Sequence, residues 1–220
     1  MTVKDFDMTS VAELPGFESA MTKDVAGDPT PEQIQNVAFR RSPGKREFFD
    51  SLRVANATDH IRQLPAVGQT LHCITRGNYS MFDIVPTTIA LIAPATIAEL
   101  RIATLGFSVK NANDLFGMMD AGKIHAAKIV CSCYFRSTSA TIFEHMTAGL
   151  KSRGQQIVAM RNHAKIIMMR TTDGQHITIE GSANLRSCRN IEQFAMTNDQ
   201  ALYEFHTAWM DVVLAAGDTK

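Results

Sequence analysis

Apolar residues recur along this chain with two different periods, and the switches between them mark out successive elements. Gln69 to Thr75 reads as a strand, Arg76-Gly77-Asn78 as a turn, and Ser80 as the cap of a helix through Met81, Ile84 and Val85. Pro86 stands near the start of that helix, where proline is tolerated. Glu99 to Phe107 predicts a second strand, and Ser108 or Asn111 caps a helix through Leu115, Phe116 and Met119 that Gly122 ends. Lys128 to Phe135 predicts a third strand. From Thr138 onward, Ile142, Phe143, Met146 and Leu150 are spaced to make one helical face. Gly154 stops that helix, and Gln155 to Met160 begins another strand. Strand and helix alternating in this way is the crossover pattern of an α/β layer fold with helices burying both faces of the sheet.

The pattern then changes. His163 and Lys165, one residue apart, are expected to project together from a strand. Asp173-Gly174 lies between two apolar runs and predicts a hairpin turn that returns the chain to Glu180 and Gly181. Gly181 is expected to allow a backbone conformation that other residues resist, with the small Ser182 leaving room for a ligand. Ile191 to Met196 predicts a last strand, and Asp199 to Leu214 a last helix. Thr197 and Gln200 would form its capping box, and Leu202, Phe205, Trp209 and Val212 its buried stripe.

Composition supports a real core: 45% of residues are hydrophobic and 20% charged, unlike a disordered chain. Net charge is zero but unevenly placed. Residues 1–40 carry three basic and seven acidic side chains, whereas 151–190 carry seven basic and two acidic ones, the signature of an anion-binding region. The first 45 residues are polar and broken by proline and glycine, with one weak helix expected from Pro31 through Phe39. Cys131 and Cys133 are expected on one face of a strand, a spacing that suits neither a zinc knuckle nor a redox pair. Cys73 and Cys188 complete a set read as reduced thiols in or near the core. No basic-then-apolar signal segment opens the sequence, and no run reaches ~18 uninterrupted apolar residues. A cytoplasmic protein is the expectation.

The residues from 161 to 194 gather an imidazole, an ammonium, a hydroxyl, a carboxamide and a carboxylate, a set suited to a phosphodiester. Cleaving one without a metal needs a nucleophile, positive charge on the non-bridging oxygens, and an acid for the leaving oxygen. His163 can serve as nucleophile or acid, Lys165 can offset phosphoryl charge, and Ser182 and Asn184 can donate hydrogen bonds. Glu192, with Asn190 supporting, can orient an imidazole. His60, His72, His125, His145, His176 and His206 are scattered without ligand spacing, and no metal or other cofactor is expected. The chain shows no internal repeat, so it supplies half of a two-histidine site; two copies about a twofold axis would pool their histidines.

His163-x-Lys165, then Gly181-Ser182-x-Asn184, then Asn190-x-Glu192 resembles the phospholipase D superfamily signature, especially that of small single-motif bacterial nucleases. The resemblance spans residues 65 to 215. It implies an α/β/α sandwich with a mixed sheet and helices on both faces, a homodimer with one composite site, a phosphohistidine intermediate and no metal. It assigns His163 as nucleophile or acid, Lys165 as phosphate ligand, Ser182 and Asn184 as small polar ligands, and Glu192 as the supporting carboxylate. The family expects aspartate five residues after the lysine, a role mainly structural there; Arg170 stands at that position, and Asp173 is the nearest acid. Either Asp173 serves from a lengthened hairpin or the acidic role is lost.

The resulting expectation is an acidic extension over 1–60 and a phospholipase D-like catalytic domain over 61–220. The domain would be a metal-independent endonuclease that cleaves nucleic acid, DNA before RNA, with Arg161, Arg170, Arg186 and Arg189 on the backbone phosphates. The rival readings are a catalytically feeble nucleic-acid-binding dimer and a hydrolase of phospholipids or other small phosphodiesters.

Overall fold

Among the described residues seven strands form one mixed sheet whose two faces are buried by helices, an α/β/α sandwich. The computed structural model describes residues 45–186 and 190–218. The helix expected over Pro31–Phe39, the remainder of the acidic extension before residue 45, Cys188 and Arg189 lie outside the described residues.

In chain order the elements are helix α1 (Lys45–Ile61), strand β1 (Thr70–Thr75), a single 3₁₀ turn (Met81–Asp83), α2 (Ile84–Ile92) and β2 (Ile97–Thr104). Then come α3 (Val109–Asp120), β3 (Ala127–Ser132), α4 (Cys133–Thr138), α5 (Ala140–Lys151) and β4 (Gln156–Met160). The chain closes with β5 (Ile166–Thr171), β6 (His176–Gly181), β7 (Glu192–Asn198) and α6 (Gln200–Ala216). Across the sheet the order is β1-β7-β6-β5-β2-β3-β4. Strands β2, β3 and β4 run parallel, while β5, β6, β7 and β1 pair antiparallel. The C-terminal ends of β1, β2, β3, β4 and β6 therefore meet the N-terminal ends of β5 and β7 along one edge of the sheet.

One face carries the larger core, in which Phe82, Phe107, Phe194, Leu115 and Leu150 are buried. Each such side chain contributes ~1.5–3 kcal/mol by leaving water. Helices α3 and α5 approach closely because Gly149 has no side chain: a Cβ there would stand 2.1 Å from Cζ of Phe116. The predicted face of α5 is the buried one, with Phe143, Met146 and Leu150 inside. Ala57 and Ile61 of α1 join the same core.

The other face is covered by α6, through Tyr203, Met210 and Leu214 against Ala103, Val130, Val158, Ile166 and Met168. This corrects the expected stripe. Phe205 is 65% and Val212 71% exposed, while Tyr203, His206, Met210 and Leu214 are the buried set. The cap is corrected too, since Asp199 accepts from Leu202 N at 2.7 Å and sets the helix phase. His206 fits inside because both ring nitrogens are engaged: Nδ1 accepts from Trp209 Nε1 at 3.0 Å, and Nε2 faces Glu180 at 3.2 Å.

An ion cluster lies under α6. Arg101, 4% exposed, donates to Asp211 at 2.6 Å and to Glu99 at 3.1 Å, and Lys128 and the Tyr203 hydroxyl complete the group around Glu99. Burial alone would raise the Glu99 carboxyl, but Arg101, Lys128 and Tyr203 hold it below its ordinary value.

The third predicted strand ends early. Ser132 accepts from Tyr134 N at 3.2 Å and turns the chain into α4, so Cys133 and Cys131 share no strand face. Cys131 is buried, and desolvation followed by the Asp218 charge pushes its thiol up to about 12, leaving it inert at neutral pH. Among the described residues no helix is long and apolar enough to cross a membrane.

Candidate active site

The motif residues converge on the sheet edge where the parallel strands end. His163 and Lys165 do not lie in a strand, as their alternation suggested; the ladder of β5 begins at Ile166, paired with Glu180. The reason is Asn162, a residue the sequence reading passed over. Its Nδ2 donates to the carbonyls of Thr104 and Val130 at 3.1 and 3.2 Å, and its Oδ1 accepts from Ala164 N at 2.9 Å. One side chain thereby pins the β4–β5 loop across the ends of β2 and β3 and turns the backbone away from strand geometry. An asparagine just before the His-x-Lys pair was the available signal.

The pair still meets. Lys165 Nζ lies 3.2 Å from His163 Nδ1 and donates to the His163 carbonyl at 3.0 Å. An ammonium has only donors, so Nδ1 is the acceptor and a neutral ring carries its proton on Nε2. His163 is exposed and Lys165 half-buried. The Lys165 carbonyl accepts from Gly181 N at 3.2 Å, which brings the end of β6 alongside.

Gly181 serves by its size, not by an unusual backbone angle. A Cβ there would stand 2.6 Å from the Gln193 carbonyl and 2.9 Å from Phe194 Cβ, so only glycine lets β6 and β7 close at this point. Ser182 is seated in consequence. Its N–H donates to the Gln193 carbonyl at 3.0 Å, its Oγ accepts from Gln193 N at 3.1 Å, and its hydroxyl donates to the Glu192 carboxylate. The hydroxyl is thus committed to Glu192, not directed at solvent. Asn184 Oδ1 is buried and has no donor among the described residues.

The arginines divide. Arg161 is exposed in the His163 loop. Arg186 donates from Nε to the Phe107 carbonyl at 3.1 Å, with its guanidinium 5.1 Å over the Phe135 ring. Arg170 pairs with His176 near the hairpin turn, roughly 17 Å along the strand from Lys165 at ~3.3 Å per residue. Asp173 sits beyond it in the turn, accepting from Thr171 and Gln175, and the Thr171 hydrogen bond foremost holds its carboxyl below the ordinary range. The structure therefore keeps Arg170 and Asp173 at the opposite end of the strand from His163. Asn190 is exposed two residues before β7. Among the described residues no three His, Cys, Asp or Glu side chains are grouped to hold a metal ion.

No protein-family model matches this chain, and no curated protein sequence matches it. Several solved structures align with part of this chain. Polyphosphate kinase from Porphyromonas gingivalis aligns at 16% identity and TM-score 0.49, over 74% of this chain and 29% of that one. Nuc, a phospholipase D family member from Salmonella typhimurium, aligns at 14% identity and TM-score 0.48, over 65% of this chain and 91% of its own. TrmBL2, an archaeal chromatin protein, aligns at 13% identity and TM-score 0.46, over 86% of this chain and 66% of its own. These are weak likenesses of partial coverage.

Proposed function

We propose that the protein hydrolyses phosphodiester bonds in nucleic acid, without a metal, at a site completed by a second copy of the chain. The observation that carries this reading is the His163–Lys165 pair, an exposed imidazole with an ammonium 3.2 Å from its ring, on the same sheet edge as Ser182 and Glu192. A phosphoryl group entering beside the pair would draw the Lys165 ammonium onto its oxygens and free Nδ1.

Transfer of the ring proton from Nε2 to Nδ1 by way of solvent leaves a lone pair on Nε2, which becomes the nucleophile. It attacks phosphorus, and the partner copy's histidine, as the imidazolium, protonates the departing oxygen as the P–O bond breaks and is left as a neutral imidazole. Water, deprotonated by that same imidazole, then displaces His163 from phosphorus. Glu192 would steady the ring carrying positive charge after releasing the Ser182 hydroxyl.

The test is cleavage of plasmid and of short single strands in EDTA by the wild type and by His163→Ala. Product from the wild type and none from the variant, with equal retention on a polyanion column, supports the reading. Full activity in the variant removes His163 from the mechanism. Salt-sensitive binding with no product from either protein favours a binding dimer.

A further inference from the structure

A pocket of about 290 Å³ opens beside the motif, lined by Leu105, Gly106, Tyr134, Phe135, Asn184 and Arg186. The strand expected over Lys128 to Phe135 would have included Tyr134. The turn at Ser132 instead starts α4 there, and the ring is 66% exposed. An aromatic face this open, on a helix that begins at the catalytic edge, is a surface for a flat apolar ligand.

Two further features point to what that ligand carries. Asn184 Oδ1, at the pocket wall, is buried and is one of several buried side-chain polar atoms without a hydrogen-bond partner among the described residues. A modest turn about its last side-chain bond, a soft torsion, presents this acceptor to an N–H or O–H brought by a ligand. Arg186 is fixed by the Phe107 carbonyl and the Phe135 ring, which holds positive charge at the same wall.

We propose that this pocket takes one unpaired nucleobase, stacked on Tyr134 with an edge N–H toward Asn184 and the neighbouring phosphate beside Arg186. The inference rests on the phosphodiesterase reading and narrows it. A base inside a duplex has no free face for Tyr134 to cover, so the substrate class becomes single-stranded or locally unpaired nucleic acid.

The test is fluorescence anisotropy of the full-length protein with three labelled probes: a twelve-nucleotide single strand, a strand of equal length made of abasic units, and the matching duplex. A gel of the same samples reports cleavage. Wild type is expected to bind the base-bearing strand ~10-fold or more tightly than the abasic one, within the range of stacking on one aromatic. Tyr134→Ala should lose that preference and keep its abasic-strand and duplex affinities, while Tyr134→Phe retains the preference. Equal affinity of wild type for the two strands, or an undiminished preference in Tyr134→Ala, overturns the pocket assignment. Tyr134-dependent binding without product upholds the pocket and overturns the hydrolase reading. Cleavage at the same rate with and without Tyr134 does the reverse, and binding of neither strand overturns both.

Discussion

Two polar clusters sit within this sheet's reach, and they are built on opposite principles. Under α6, Arg101, Glu99, Asp211, Lys128 and Tyr203 bond to one another through both terminal nitrogens of Arg101, although its buried Nε has no partner among the described residues, and Arg101 is almost wholly out of water. At the sheet edge, the exposed His163 and its neighbour Lys165 are held against each other, and Asn184 keeps an acceptor without a donor among the described residues. The first cluster closes on itself and fastens a helix to the sheet. The second is held in place from behind, by Asn162 and Gly181, and leaves the His163 ring exposed, where the proposed reading has a phosphodiester arrive. A polar group's partners, more than its identity, separate scaffold from site.

That contrast can be broken most sharply at His163. His163→Ala should lower phosphodiester cleavage by ~10⁴-fold or more, about 5 kcal/mol of barrier, with the melting temperature unchanged because the ring is exposed. Arg101→Ala should do the opposite. It leaves Glu99 buried without its main partner and should destabilise the fold by ~3–5 kcal/mol in urea titration, with specific activity per folded molecule retained. Gly181→Ala should fall between the two, since the overlap with Gln193 and Phe194 destabilises by ~1–3 kcal/mol and also displaces Ser182.

The closed cluster also carries a pH signature. The Glu99 and Asp211 carboxyls are depressed in the folded state. Their contribution is therefore present above the ordinary values of 4.5 and 3.8 and is lost as pH falls through the lower folded-state values. Urea midpoints should fall across that acid range in the wild type and fall less in Arg101→Met. The smallest effect is expected at Asp173. Asp173→Asn loosens a turn that satisfies itself and should reduce stability by ~0.5–1 kcal/mol, with cleavage within twofold of wild type. A large loss of activity there would mean that the turn acts on the distant site.

The sequence was most legible where local chemistry decides the outcome. Asp173-Gly174 between apolar runs specified the β5–β6 hairpin, Ser108 capped α3, and the spacing of Phe143, Met146 and Leu150 set the buried face of α5. It was least legible where one hydrogen bond overrules a periodicity. Ser132 converts an apolar run into the start of α4 and so exposes Tyr134. Asp199 rotates the buried face of α6 away from Phe205 and Val212. Asn162 reaches carbonyls on two strands distant in sequence, a contact no local pattern contains. The pairing of His163 with Lys165 was foreseen for the wrong reason, since a pinned loop and not strand alternation brings them together.

Among the described residues strand β1 pairs only with β7, so Thr70 meets Thr197, 127 positions further along the chain. A ribosome adding roughly 5–20 residues per second needs about 6–25 s to make that span. Throughout that interval the segment has emerged without its hydrogen-bonding neighbour, and closing so long a loop is slow. Nascent chains halted before Glu192 should therefore be the ones most readily captured by chaperones or lost to aggregation, and the synthesis of β7 the stage at which this sheet acquires its outer border.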